Sequence, residues 1–258
     1  MSDQPARPPA QAWARPPPPR LETLLRIEAD GTVVALSGKV EFGQGIRTGF
    51  RRLVAQALDL PLERVKAVLG ETASTPWDMG TFGSMSTSTD GRTLRAAAWM
   101  ARRLLLERAA SRLGVATDAL SMRDGQVMAP DGRRVDFAAL VQGDPLTGEL
   151  PAGLPPAAPP VTDGPMRQEA LDIVTGRAQY AMDVRLPNMA YGCVLHPPSL
   201  GARLSAVDDS AARAVRGVLE IVRQGDFVGV VAERAMQARL AAGLLKATWS
   251  VGEPITLE

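Results

Sequence analysis

Apolar positions along this chain follow two rhythms, and the places where one gives way to the other mark its elements. Leu21 to Ala29 and Thr32 to Ser37 are strand-like runs flanking Asp30-Gly31, a strong short hairpin signal. From Ile46 the period lengthens: Ile46, Phe50, Leu53, Val54, Ala57 and Leu58 share one helical face, and Arg47, Arg51 and Arg52 fall largely off it. This helix stops before Pro61, and Val65 to Leu69 reads as a short strand. A long helix with the stripe Leu94, Ala97, Ala98, Ala101, Leu104, Leu105 and Ala109 is predicted to be capped by Asp90 and to end at Gly114. Asp124-Gly125 and Asp131-Gly132 predict two further hairpins.

Beyond about Met166, short strands alternate with helices. Strands are predicted at 190–195, 203–207, 218–222, 227–231 and 246–251, with helices at 210–215 and 234–245. Proline divides the chain. Residues 1–20 form a Pro-rich arm with nothing to pack, expected to be disordered or polyproline-like, and 144–165 read as a stiff extended linker. The folded parts are then 21–143 and 166–258, and the fold class is α+β.

Composition narrows the chemistry. The 258 residues carry 29 basic and 28 acidic side chains and 4% aromatics, so neither a basic field nor a set of stacking rings invites nucleic acid. A single cysteine, Cys193, excludes an internal disulfide and a thiolate-held iron–sulfur cluster within this sequence. The single histidine, His196, builds no metal site; it reads as a loop residue and Cys193 as a small core residue. The arm has no signal-peptide core and no window approaches about 18 apolar residues. The expectation is a cytoplasmic chain without membrane insertion, unless a signal-bearing partner exports it.

The chemistry concentrates in two segments. Gly38-Lys39-Val40-Glu41-Phe42-Gly43-Gln44-Gly45 lies between a strand and a helix, where glycines let backbone N–H groups approach a ligand and the helix start favours an anion. It is neither a Walker loop nor a dinucleotide fingerprint, since Thr48 stands where the last glycine would be. The pattern alone leaves a strand-to-helix turn and a ligand loop both open. Gly80-Thr81-Phe82-Gly83-Ser84-Met85-Ser86-Thr87 offers neutral hydroxyl donors to phosphate or to a heterocycle.

Both segments resemble molybdopterin-binding stretches of the xanthine dehydrogenase and aldehyde oxidase family. Asp172 to Asp183, with Gly217-Val218 and Gly225 to Glu233, resembles that family's a/b hammerhead domain. The order, a partial molybdopterin-binding α/β domain before the hammerhead, is similar to large subunits of the isoquinoline 1-oxidoreductase and nicotinate dehydrogenase type. The resemblance implies that Gly43, Gln44, Gly45, Gly83, Ser84, Met85, Ser86 and Thr87 approach the pterin or its diphosphate. It further implies a molybdenum–molybdopterin cofactor in the cytosine dinucleotide form, the metal being held by the pterin dithiolene rather than by this chain. The reaction implied is hydroxylation of an aldehyde or N-heterocycle with water-derived oxygen.

Glu41, Glu71 and Asp78 do not match the family's catalytic glutamate, and Glu41 reads as structural, held in its turn by backbone or arginine contacts. No catalytic residue is assigned. The implied assembly shares the cofactor with a larger molybdopterin-binding catalytic subunit and receives a small [2Fe-2S] subunit. Alternatives are a noncatalytic truncated paralogue, a cofactor-handling assembly protein, or a fragment of a longer chain.

Overall fold

The computed structural model describes residues 18–151 and 167–250, which separate into two compact units, one ending at Ala178 and one beginning at Gln179. Residues 1–17 of the Pro-rich arm and 152–165 of the proline-rich linker therefore lie outside the described residues, whereas Arg20, at the end of the arm, forms a β-bridge with Glu149.

The first unit opens with a one-turn helix α1 (Leu21–Leu24) feeding β1 (Leu25–Ile27) and β2 (Val33–Ser37). The single strand predicted over 21–29 is thus half helix. Leu21 and Leu24 are both buried, which one helical turn achieves and an extended segment would not. β1 and β2 pair antiparallel around the Asp30-Gly31 turn, Leu25 opposite Ala35. All five residues of β2 are buried, as suits an inner strand covered on both faces.

Helix α2 (Ile46–Ala57) crosses from β2 to β3 (Val65–Leu69), which runs parallel to β2 with Val33 opposite Val65. Phe50, Val54 and Leu58 of this crossover are essentially inaccessible. Helix α3 (Arg92–Leu113) packs Leu94, Ala97, Ala98, Ala101, Leu105 and Ala109 into the same core, with Leu104 partly buried at its margin. It ends in a left-handed Gly114, as the sequence predicts.

The start of α3 differs from expectation. Thr87–Gly91 form one π turn that runs directly into α3, closed by the Gly91 N–H on the Ser86 carbonyl at 3.0 Å. Asp90 lies inside that turn and caps nothing; its carboxylate accepts from Ser37 instead.

A meander of β4 (Ser121–Arg123), β5 (Gln126–Met128) and β6 (Arg134–Asp136) follows, then α4 (Phe137–Val141). Residues 144–151, predicted as linker, belong to the folded unit: Leu146 is buried, the Gly148 N–H donates to Glu22, and the Leu150 N–H donates to Pro19. Helix α5 (Ala170–Val174) also belongs to this unit, so the division falls after Ala178 rather than at 166.

The second unit holds the three-stranded antiparallel sheet β7–β10–β9, from β7 (Tyr191–Leu195), β9 (Val218–Gln224) and β10 (Phe227–Ala232). β8 (Leu204–Asp208) pairs with β11 (Lys246–Trp249), and α6 (Ser210–Arg213) and α7 (Ala235–Leu244) supply helical cover. Its core gathers Leu204, Ile221, Val228, Val230 and Ala241, with Cys193 partly buried against it as a free thiol. His196 is exposed in the loop after β7. No described helix is long and apolar enough to cross a membrane.

Candidate functional site

The parallel β2–α2–β3 crossover places the segment after β2 and the segment after β3 at the same end of the sheet, the carboxyl end where α/β sheets collect ligand loops. The two glycine-containing segments singled out in the sequence are therefore neighbours in space.

A buried lysine staples them. Lys39, 5% exposed, places its Nζ 2.9 Å from both carboxylate oxygens of Asp78 and donates to the Gly80 carbonyl at 2.9 Å. Asp90 Oδ1 lies 4.0 Å from the same ammonium, and the Ser37 hydroxyl donates to Asp90 Oδ2 at 2.6 Å. The Val40 N–H completes the join by donating to the Thr81 hydroxyl at 2.7 Å. The backbones approach closely enough that a Cβ on Gly38 would stand 2.4 Å from Asp78 Cβ and 2.6 Å from the Pro76 carbonyl oxygen.

The expected anion seat at the start of α2 is filled from within the chain. Glu41 Oε1 accepts the N–H groups of Gly43 and Gly45, each at 2.9 Å, and Oε2 accepts that of Arg47 at 3.0 Å. The carboxylate thus takes the place that a phosphate would occupy at the helix start. Gly45 makes this possible as a left-handed N-cap, φ 86°, that turns its N–H back toward Glu41. Burial alone would raise the Glu41 pKa, but the three N–H bonds and the nearby Arg167 outweigh it and hold the carboxyl below its ordinary range.

Because this folded-state pKa is depressed, the stabilisation from Glu41 is complete above the unfolded value of about 4.3 and is lost as pH falls through the folded value. Glu41→Gln is expected to cost about 1–2 kcal/mol at neutral pH. Urea unfolding at pH 7 and near pH 3 checks this, since an equal loss at both would show that charge is not what the turn uses.

Gln44 also turns inward: its Oε1 accepts the Phe42 N–H and its Nε2 donates to the Val40 carbonyl, both at 2.8 Å. One amide hydrogen and one lone pair remain for an outside group.

The start of α3 is open instead. Among the described residues the hydroxyls of Ser84, Ser86 and Thr87 have no hydrogen-bond partner, whereas those of Ser88 and Thr89 fold back onto the Met85 carbonyl. Ser86 is only 8% exposed, and Gly83 and Ser84, with φ 64° and 54°, bend the chain immediately before it. The π turn supplies acceptors for the N–H groups that lead into α3, those of Thr89, Gly91 and Arg92 being taken by the Met85, Ser86 and Thr89 carbonyls. No acidic residue stands in the first turn of α3; Arg92 and Arg95 stand there instead, neither with an ion-pair partner among the described residues, and Arg95 has two buried, unpartnered nitrogens.

Exposed apolar side chains surround the two loops, Phe42, Trp77, Met79 and Phe82 being more than half exposed. Beside the staple, a cavity of about 410 Å³ is lined by Leu24, Pro76, Trp77 and Thr93, with the Asp78 and Asp90 carboxylates in its wall. Arg20 also lines it, so its wall carries charge of both signs.

The structure thus brings Gly43, Gln44 and Gly45 together with the loop of Gly83, Ser84, Met85, Ser86 and Thr87, but the donors left for an external anion are on the second group. Lys39 lies within the first motif picked out from the sequence, but the sequence reading does not anticipate the network it forms with Asp78, Asp90 and Ser37, nor Arg95. A lone lysine in a glycine-rich loop, with aspartates beyond the next strand, is the signal that points to the staple. No group of three or more metal-ligating side chains occurs among the described residues.

Comparison with known proteins bears on which ligand these donors suit. The family model for the molybdopterin cofactor-binding domain matches residues 9–153. A nicotinate dehydrogenase subunit of Pseudomonas putida is 38% identical over 247 residues, covering 89% of this chain and 20% of that protein. The beta subunit of isoquinoline 1-oxidoreductase of Brevundimonas diminuta is 29% identical over 269 residues, covering 87% of this chain and 34% of that protein. Reconstituted CO dehydrogenase from Oligotropha carboxidovorans aligns with 50% of this chain and 18% of its own at a TM-score of 0.43 and 23% identity. The chain therefore spans between a fifth and a third of the length of these two curated relatives.

Proposed function

The chain belongs to the molybdopterin cofactor-binding domain family, as part of a molybdopterin-binding subunit of the xanthine dehydrogenase type, and we propose that the open start of α3 is where it meets the cofactor's phosphates. The observation that carries this is the set of hydroxyls of Ser84, Ser86 and Thr87, unpartnered among the described residues at the start of the helical run, with Arg92 and Arg95, which have no ion-pair partner among the described residues, just beyond the π turn. That donor set fits a pterin carrying phosphate, because neutral hydroxyls and backbone N–H groups bind oxyanions without requiring a metal ligand. Gly43 and Gly45 act by shaping the adjoining turn, their N–H groups being taken by Glu41. Gln44 retains capacity for the pterin ring edge, and Met85, 38% exposed, borders the same loop.

When bound, the group supplies two-electron redox chemistry suited to hydroxylating an aldehyde or an N-heterocycle with water-derived oxygen. An N-heterocycle is the reading favoured by the relatives named for nicotinate and isoquinoline. On this reading the nucleotide is cytosine dinucleotide, the second unit is the hammerhead domain, and the catalytic glutamate belongs to a larger polypeptide, with iron–sulfur clusters on a small subunit. The exposed apolar rim of Phe42, Trp77, Met79 and Phe82 supports a cradle completed by further protein, since such a patch is costly to leave in water.

The full chain, alone and co-purified with its partner polypeptides, tests the reading by metal analysis and released-pterin fluorescence. Stoichiometric cofactor is expected only in the assembly, and Ser86→Ala/Thr87→Ala should lower pterin retention there by about tenfold. Tightly held cofactor in the isolated chain would overturn the shared site. An assembly lacking pterin while the chain alone binds it transiently would point instead to a cofactor-handling protein.

A further inference from the structure

The Glu41 turn is held from outside as well as from within, by a segment far away in sequence. Arg167 Nη2 lies 3.5 Å from Glu41 Oε1, and its Nε lies 3.4 Å from Glu169 Oε2. Glu169 Oε1 lies 3.3 Å from Arg47 Nε, so Glu41, Arg167, Glu169 and Arg47 form a chain of alternating charge over the first turn of α2. Two hydrogen bonds to the neutral Gln168 fix the segment in register: its N–H donates to the Thr48 hydroxyl at 3.0 Å, and Arg51 Nη1 donates to its Oε1 at 2.6 Å. Arg51 and Arg47 are themselves anchored on β3 and its approach, through the carbonyls of Val65 and Leu62 for Arg51 and of Ala67 for Arg47.

Arg167 also lies against the backbone of the turn. A Cβ on Gly45 would stand 3.3 Å from its Nε and 3.4 Å from its Cζ, so the guanidinium rests on the face that glycine leaves bare. The carboxylate it reaches is only 7% exposed and already accepts three backbone N–H groups, leaving little acceptor capacity for anything but a neighbouring cation.

We propose that Arg167 is a positioning residue for the Gly43–Gly45 turn: by compensating the buried Glu41 carboxylate and covering Gly45, it fixes the shape of the segment that borders the cofactor loop. Without that cation, Glu41 keeps its three N–H donors but loses the neighbouring charge that offsets its desolvation. The turn then opens more often, and Gly43, Gly45 and Arg47 give up their internal acceptor together. The inference rests on the geometry of the first unit and stands whether or not the ligand is molybdopterin.

Amide hydrogen exchange on the full chain without cofactor tests it, comparing wild type with Arg167→Ala and Arg167→Lys. Arg167→Ala should accelerate exchange of the Gly43, Gly45 and Arg47 amides by about tenfold, with the Leu58 amide at the far end of α2 unchanged. Arg167→Lys, which keeps the charge near Glu41, should restore most of the protection. Unchanged protection at the three turn amides in Arg167→Ala would overturn the assignment. So would equal acceleration along the whole of α2, which marks a general loss of stability, or a lysine variant no better than alanine. Because no cofactor is present, failure here is distinct from failure of the cofactor reading, which pterin content reports.

Discussion

Lys39→Met is expected to destabilise the first unit by about 3 kcal/mol, a large fraction of the stability of an ordinary domain. The ammonium is 6% exposed at the side chain and faces carboxylates that are 13% and 24% exposed, Asp78 and Asp90. Methionine matches the length of the lysine stem but leaves Asp78 with its Gly80 N–H and no compensating charge, and leaves the Gly80 carbonyl without its donor. The penalty is chiefly that of stranded acceptors, not of a lost attraction. Adding Asp78→Asn to Lys39→Met should therefore recover part of the loss, a coupling that urea unfolding of the two single variants and the double variant measures directly. A loss below about 1 kcal/mol for Lys39→Met would mean that the two loops are held together by something else.

Gly38→Ala is expected to cost a similar amount through a different mechanism, about 2–3 kcal/mol of overpacking. The added carbon would meet Asp78 Cβ at 2.4 Å and the Pro76 carbonyl oxygen at 2.6 Å, and neither is the movable end of a long side chain. Relief requires the loop after β3 to withdraw from the loop after β2, which breaks the Val40–Thr81 hydrogen bond and lengthens the Lys39 staple. The expected signature is a lowered unfolding midpoint together with poor pterin retention in the assembly, since the two walls of the site separate. Gly49→Ala serves as the control: its added carbon meets nothing within 4 Å, and it should be neutral or mildly stabilising. Equal behaviour of the two variants would show that the close approach does not govern the loop.

Regular elements are legible in the sequence where one principle acts alone. The hairpin at Asp30-Gly31, the amphipathic face of α2 and the glycine stop of α3 follow from turn chemistry and periodicity, and the structure contains each of them. The start of α3 departs from its sequence signal because Asp90 has the composition of a cap, while its carboxylate is claimed by Ser37, 53 positions earlier in the chain. No local rule anticipates a bond of that span. The segment 144–151 has the composition of a linker, yet one buried leucine and N–H bonds to the Pro19 carbonyl and the Glu22 carboxylate bind it to the first unit.

At the site, the glycine-rich run has the pattern of a helix-start anion seat, but the residue that fills the seat stands within the same run. Glu41 lies two positions before Gly43 and four before Gly45, a spacing that lets one carboxylate reach both amides once Gly45 takes its left-handed conformation. The reading of Glu41 as a structural residue with backbone and arginine contacts agrees with that geometry. Arg167 carries no comparable signal, because its partner lies across the proline-rich stretch and only the folded chain brings them together.

The π turn at Thr87–Gly91 gives the Ser84–Ser86 loop a dependence on winding phase. Each residue of an ordinary helix advances the chain by about 100°, and a π turn holds one residue more than an α turn before the axis resumes its course. The direction in which the Ser84 and Ser86 hydroxyls leave the helix is thus set by the number of residues in that turn. Losing one residue between Thr87 and Asp90 would let ordinary winding return and would swing both hydroxyls by about 100° around the axis of α3. A length change that an exposed loop would absorb unnoticed would here redirect the donors while leaving their chemistry intact.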